Sequence, residues 1–415
     1  MKVLIVNTSE LTGGAAIASN RLMKALRHIG VDAKMLVRDK QTSDENVISL
    51  PRYSSKWKFY LERLYIFLHL KFKREHLFEI DTATLGNDIT RLPEFKEADV
   101  IHLEWVNQGM LSLRNIQKII KSSKKVVWTM HDLWPASGIC HLSLNCENFK
   151  KGCHNCRLLP NNGATEDLST KIWNRKKQLL KNGKITFVAC SKWLANQGKS
   201  SDLFSNSNVT TIPNPIDTDV FHKKDKTQAR QNLGICSNKK IITFVARRVT
   251  DELKGTAYLI EALNKMIKDK PSIKEELAVA LLGSGGDEFS KILPLEVFPI
   301  GYVSETEKII NVYSASDLFV LPSLSENLPN TIMEAMTCGV PCVGFNVGGI
   351  PEMIDHKESG YVAEYKNADD LAKGIYWTLY EADHKQLSSH AIEKVKREYS
   401  MENVARKYLE LYKSK

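Results

Sequence analysis

No apolar run in the chain reaches the length of a membrane-spanning helix, which argues against a helical span. The opening MKVLIVNTSE lacks the charged start and long apolar core of an export signal and runs straight into a strand pattern. The expectation is therefore a cytoplasmic protein whose eight cysteines are reduced rather than paired. The dinucleotide fingerprint G-x-G-x-x-G is missing after the first strand pattern, which weakens the case for a nicotinamide cofactor. There is no internal repeat and no low-complexity segment, so neither a solenoid nor a disordered tail is expected. Acid falls short of base, 48 residues against 58, leaving a formal charge of +10. Such an excess suits an acidic partner, whether nucleic acid, anionic lipid or a phosphorylated substrate. Charge alone does not choose among them.

At 415 residues, 43% of them hydrophobic, the chain is long enough for two globular cores. The most informative stretch is SLSENLPNTIMEAMTCGVPCVGFNVGG, Ser323 to Gly349. A strand-length run, Asp317–Leu321, leads into a polar loop; a short helix is expected from Asn330, as N-cap, to Cys338, stopped by Gly339 and Pro341. Glu326 and Glu334 bracket the helix start, and between them lie backbone N–H groups that suit a diphosphate. Carboxylates beside a phosphate make sense as acceptors for hydroxyls on either side of it, a sugar on one and a ribose on the other. The spacing Glu-x7-Glu is by itself common in a chain with 48 acidic residues.

The full string SENLPNTIMEAMTCGVPCVGFNVGGIPEMI is more specific. It resembles the donor-binding segment of glycosyltransferase family 4, retaining enzymes of the GT-B fold that include bacterial surface-polysaccharide glycosyltransferases. The resemblance implies that Glu326 contacts the transferred sugar, that Glu334 holds the ribose hydroxyls, and that Asn327, Leu328, Asn330 and Thr331 complete the donor contacts.

Along the chain, Lys2–Asn7 is a buried strand, followed by LTGGAA and a helix with Leu22, Ala25, Leu26 and Ile29 on one face. A bare Gly-Gly is usually a turn; in the family a similar loop faces the donor phosphates, which points to Gly14. Residues 52–74 carry seven Lys or Arg against one Glu, with Trp57, Leu61, Leu64 and Leu68 at helical spacing. That is a basic amphipathic helix, suited either to an anionic lipid interface or to docking on its own domain with a solvated rim. Elsewhere the cations are not interleaved with stacking aromatics, so no nucleic acid partner is expected. Strands over Asp99–Trp105 and Val126–Met130 end at Asn107 and at His131, the carboxyl end where a parallel sheet builds its crevice. A neutral imidazole there can donate to a sugar hydroxyl or a phosphate oxygen. TMHDLWP resembles the family segment whose His touches the donor sugar, and His102 is a weaker second candidate.

Cys140, Cys146, Cys153 and Cys156 crowd one loop, and a C-x2-C ending without an export signal favours a structural zinc over disulfides, with His141 and His154 as substitute ligands. Pro213–Asp217 is a stiff break. The D-x-D at Asp217–Asp219 is read as a turn or cap, not a metal motif. After the strand Ile241–Val245, Arg248 and Lys254 flank a loop and suit a cation pair on a diphosphate leaving group. The family has Gly-Arg-Leu and Lys-Gly there, which aligns Arg248 rather than Arg247 with the phosphates. Tyr302 and Val303 match where the family's backbone grips the base.

The expected architecture is α/β: two doubly wound parallel sheets facing a cleft, an acceptor-binding domain over 1–213 and a nucleotide-sugar-binding domain over 214–399, with a C-terminal helix over 400–415 packing back on the first. The expected activity is retaining, hexosyltransferase-type transfer to a glycan, lipid-linked, in surface polysaccharide assembly. No catalytic cofactor or metal and no general base are expected, because the departing phosphate can take the acceptor proton. Cleft closure about Pro213–Pro215 would exclude water, and the expected place of work is the cytoplasm, at the inner membrane face if residues 52–74 lie on lipid. The same fold also serves sugar-nucleotide epimerases and phosphorylases, and the basic charge would suit a non-catalytic binding module.

Overall fold

In the computed structural model, which describes residues 1–181, 185–245 and 251–414 and all their side chains but those of 52–54, alternate residues of the first strand enter opposite cores. Leu4 and Val6 of β1 (Lys2–Ser9) join one hydrophobic cluster, and Val3 and Ile5 the other. A strand buried on both faces reads as an unbroken apolar run, the signature of a parallel sheet covered by helices. The sheet is completed by β2 (Asp32–Asp39), β3 (Val47–Ser49), β4 (Val100–Leu103), β5 (Lys125–Met130), β6 (Ile185–Ala189) and β7 (Asn208–Thr211), in the order β3-β2-β1-β4-β5-β6-β7. Every pairing in it is parallel.

One face is covered by α1 (Gly14–His28), which buries Leu22, Ala25 and Leu26, together with the C-terminal helix Met401–Lys413, which buries Val404, Ala405, Tyr408 and Tyr412. Helix α2 (Arg52–His69) belongs to the same unit, which comprises Met1–Pro215 and Met401–Lys415.

The second unit, Ile216–Ser400, repeats the scheme. Its strands β8 (Lys240–Val245), β9 (Leu277–Leu282), β10 (Glu296–Gly301), β11 (Leu318–Leu321), β12 (Cys342–Phe345) and β13 (Gly360–Ala363) lie in the order β10-β9-β8-β11-β12-β13, again all parallel. The order reverses between β8 and β11, and open α/β sheets bind ligands at the carboxyl ends of strands flanking such a point. Helices α3 (Thr256–Asp269) and α4 (Asn330–Thr337) start just beyond those ends. Asp217 serves the turn reading: its Oδ1 accepts from the amides of Asp219 and Val220. No helix among the described residues is long and apolar enough to cross a membrane.

Candidate functional site

In the second unit the switch point brings together two of the residues singled out by sequence. A short 3-10 turn, Glu252–Lys254, capped by Asp251, delivers Lys254 from the β8 side; the loop after β11 delivers Glu326. Lys254 Nζ donates to Glu326 Oε1 at 2.7 Å. Burial pulls the lysine pKa down, and the Glu326 carboxylate more than offsets it, so the ammonium is held charged. An ammonium has three protons and spends one here. Beside this pair in the chain, Thr256 Oγ1 and Ser323 Oγ are buried without a hydrogen-bond partner among the described residues. Sequence reading passed over both hydroxyls. The signal was present: one opens a helix after Lys-Gly and the other follows β11 by two residues.

Two glycines allow the close approach. Gly255 has φ 69°, and a Cβ on it would lie 1.7 Å from the Pro322 carbonyl oxygen. Gly348 has φ 60°, and a Cβ there would lie 1.6 Å from the carbonyl oxygen of Glu326. Gly348→Ala must therefore push the Glu326 loop outward as well as strain its own backbone, at about 1–3 kcal/mol for the strain alone. The expected result is a lower melting temperature together with weaker donor binding, measured by calorimetry and titration. Unchanged donor affinity would separate Gly348 from the site.

Helix α4 begins with Asn330 as its first helical residue, so Pro329, not Asn330, holds the N-cap position, and no side chain caps the helix there. Proline's fixed φ suits the entry to a first turn. Thr331 and Asn327 are half-buried, and Leu328 is buried. Glu334 is not on an open face: it is buried within α4, and the Tyr313 hydroxyl donates to its Oε2 at 3.4 Å. Burial, then the Glu334 charge, push the Tyr313 pKa up, so the phenol keeps its proton and stays a donor. Tyr302 stands exposed just past β10, with Val303 half-buried behind it. Arg248 lies outside the described residues.

In the first unit, β4 and β5 end at Glu104 and His131, and the structure couples them. His131 Nε2 donates to Glu104 Oε2 at 2.6 Å, while Cys190 Sγ lies 3.7 Å from Nδ1. Burial would lower the imidazole pKa; the Cys190 thiol and the Glu104 carboxylate outweigh it and hold the ring well above its usual value. Sequence reading expected a neutral imidazole free to donate to a ligand; in the structure its Nε2 already has a carboxylate partner. Glu104 was missed because a lone Glu at a strand end carries no spacing signal. His102 is structural: fully buried, with Nδ1 2.6 Å from the Tyr412 hydroxyl and Nε2 2.7 Å from Thr129 Oγ1. Gly14 opens α1, exposed, after Gly13 in a left-handed conformation.

Next to His131, Asp132 starts a second buried chain. His141 Nδ1 donates to Asp132 Oδ2 at 2.7 Å and Nε2 to Asp81 Oδ2 at 2.9 Å; Arg63 pairs with the other oxygen of Asp81, and the Trp105 indole donates to Asp132 at 2.9 Å. Both nitrogens of His141 are spent, so it is no spare metal ligand. The zinc expectation fails as well: Cys140, Cys146, Cys153 and Cys156 are free thiols, and among the described residues no group of three or more His, Cys, Asp or Glu is arranged to hold a metal ion. Burial, then neighbouring thiols, push Cys153 up to about 12. Burial also leads for Cys156, pushed up to about 11. Cys153 Sγ accepts the Gly138 amide at 3.2 Å, and the amide of Cys156 donates to Asp167 at 2.9 Å. Local contacts such as these hold the loop.

Comparison with known proteins gives this geometry its setting. The chain is 29% identical over 213 residues to the N-acetyl-alpha-D-glucosaminyl L-malate synthase of Bacillus anthracis, which covers 50% of this chain and 54% of that one. The chain spans about half the length of the curated relatives it matches first. Among solved structures it resembles a glycosyltransferase from Rickettsia africae (TM-score 0.63, 19% identity, covering 99% of this chain and 97% of that one). It also resembles Anabaena HepE in complex with UDP-glucose (TM-score 0.63, 15% identity, 99% of each). At these identities the likeness is one of GT-B fold. The model of glycosyl transferases group 1 matches residues 225–397, and that of glycosyltransferase family 4 matches residues 12–220, half of the chain: the protein belongs to glycosyltransferase family 4.

Proposed function

We propose that the protein moves a sugar from a nucleoside-diphosphate sugar to a hydroxyl of a glycan, with retention at the anomeric carbon. The observation that carries this reading is the Lys254–Glu326 pair at the switch point, with the buried hydroxyls of Thr256 and Ser323 close to it in the chain. In the transfer the bond from the anomeric carbon to the diphosphate oxygen breaks and negative charge grows on the leaving phosphate. Lys254, those two hydroxyls and the first-turn amides of α4 stabilise it, which is electrostatic catalysis aimed at the charge that develops. Glu326 accepts from hydroxyls of the transferred sugar, and Glu334 and the backbone at Tyr302 and Val303 hold the nucleoside. The acceptor oxygen attacks from the face the phosphate leaves, and the phosphate takes its proton.

The acceptor in this reading is a lipid-linked glycan of surface polysaccharide assembly, bound by the first unit, whose His131–Glu104 pair stands at the end of β5 as a polar group for its hydroxyls. The Bacillus anthracis relative, named for an N-acetyl-alpha-D-glucosaminyl product, favours a hexosamine among the donors to try first. The test is a thermal-shift panel of nucleoside diphosphates and their sugars. A ligand at 100 times its Kd stabilises by about 2.7 kcal/mol, so the true donor should raise the melting temperature by several degrees. A panel in which no nucleotide sugar shifts the transition overturns the reading. An inverted product anomer, read by NMR, overturns retention alone.

A further inference from the structure

Helix α2 buries Ile66 in the core yet turns its three leucines outward. Its inward side carries Glu62 and Arg63, 0% and 6% exposed, whereas Trp57, Leu61, Leu64 and Leu68 are 67%, 48%, 52% and 50% exposed. At about 100° per residue these four and exposed Tyr60 fall within an arc of roughly 100°, opposite the side that buries Ser55 and Ile66. A helix in water ordinarily rolls its leucines inward. Here polar anchors fix the rotation. Arg63 Nη1 donates to the carbonyls of Leu77 and Ile80 at 2.7 and 3.2 Å, and its Nη2 pairs with Asp81. The Thr82 hydroxyl donates to Glu62 at 3.1 Å. Rolling the leucines in would strip buried charges of their partners, a larger cost than the burial would return.

The rim of the stripe decides what covers it. Between residues 55 and 74 the only acid is Glu62, which is buried, while Lys56, Lys71, Lys73 and Arg74 are exposed and Phe72 continues the apolar surface past the helix end. The exposed acids nearest in the chain, Glu75 and Glu79, follow the cationic segment and do not lie on the helix, so a second copy of this helix would set its cations against few carboxylates. A bilayer with anionic headgroups offers what the surface lacks: apolar depth under the leucines, phosphates for the lysines, and an interface level for the Trp57 and Tyr60 rings. We infer that the outward face of α2 docks the protein on an anionic membrane surface. This deepens the reading of a membrane-borne acceptor and rests on it only for its biological purpose.

Co-sedimentation of the full chain with phosphatidylglycerol–phosphatidylcholine vesicles tests it, with phosphatidylcholine vesicles and soluble glycerol phosphate as the other arms. The parent should bind the anionic vesicles, bind neutral ones weakly and ignore glycerol phosphate as a competitor. Leu61→Glu with Leu64→Glu should lower partitioning by at least about tenfold. Lys71→Gln with Lys73→Gln should lower it about fivefold per cation and flatten its salt dependence without removing any packing. Vesicle binding that neither pair of variants changes overturns the inference, as does absence of binding by the parent. A dimer in sedimentation velocity that the leucine variants dissolve would also overturn it, giving the stripe to a second copy. The donor thermal shift must survive in every variant. Its loss from a parent that still binds vesicles would sink the transfer reading instead.

Discussion

Glu326→Ala should lose about two to three orders of magnitude in turnover, the size seen when one preorganised electrostatic contact is removed from a transition state. Its affinity for the nucleoside diphosphate should stay within about threefold, since the grip on phosphate lies with neighbouring groups. The ion pair sharpens this expectation. In the parent, Lys254 shares its charge with Glu326 at 2.7 Å; without the carboxylate, its ammonium faces the phosphates alone. Diphosphate binding should therefore hold or tighten while transfer collapses. Lys254→Met should show the reverse weighting, with diphosphate affinity falling about tenfold or more because a charged hydrogen bond contributes roughly 1.5–3 kcal/mol. Steady-state kinetics beside calorimetric titration of the diphosphate separate the two. Equal losses of kcat and diphosphate affinity in Glu326→Ala would make the residue part of the phosphate grip and remove its role toward the sugar.

What sequence could and could not reveal follows from where each signal resides. The apolar runs at β1, β5, β8 and β11 forecast strands because burial on both faces forbids polar positions, and the stop at Gly339 and Pro341 fell where α4 ends. Lys254 and Glu326 could be named singly, by motif. Their direct pairing across 72 positions is a product of strand order, which no local pattern encodes. The N-cap of α4 went to Pro329 because side-chain capping preference is weaker than proline's backbone constraint. The basic helix was legible as amphipathic, but not the way it faces: its orientation is set by Arg63 and Glu62 reaching Asp81 and Thr82, partners about twenty residues on. Four clustered cysteines suggested a metal because spacing reports proximity, and proximity of thiols is not by itself a ligating geometry. The Asp81–His141–Asp132 chain had no spacing at all to betray it.

That chain supports the second large expectation. His141→Gln should destabilise the protein by about 3 kcal/mol at neutral pH, since it removes the cation between the fully buried Asp81, left with Arg63 alone, and the half-buried Asp132. The pH dependence tests the charge itself. Burial lowers the His141 pKa, but Asp132 and Asp81 more than reverse it, raising it from 6.5 to about 10. A raised imidazole pKa gives stability that is fully present below the unfolded value and is lost as pH climbs through the folded one. The gap in melting temperature between parent and variant should therefore be widest near pH 6, narrow from about pH 7 onward, and be nearly closed above about pH 10. Lys176 acts with the opposite sign in the same window. It is buried, donating to the carbonyls of Trp134 and Ser137 at 2.5 and 3.0 Å, and burial lowers its pKa from 10.5 to about 7, so its penalty fades as pH rises. The parent's own profile mixes the two, which is why the gap between parent and variant, repeated in a Lys176→Met background, is the decisive measurement. A gap that stays constant from pH 6 to pH 10 would show a neutral ring held by ordinary hydrogen bonds. A narrowing gap would show that a charged histidine fixes the segment beginning at Asp132, and through it the residue before, His131.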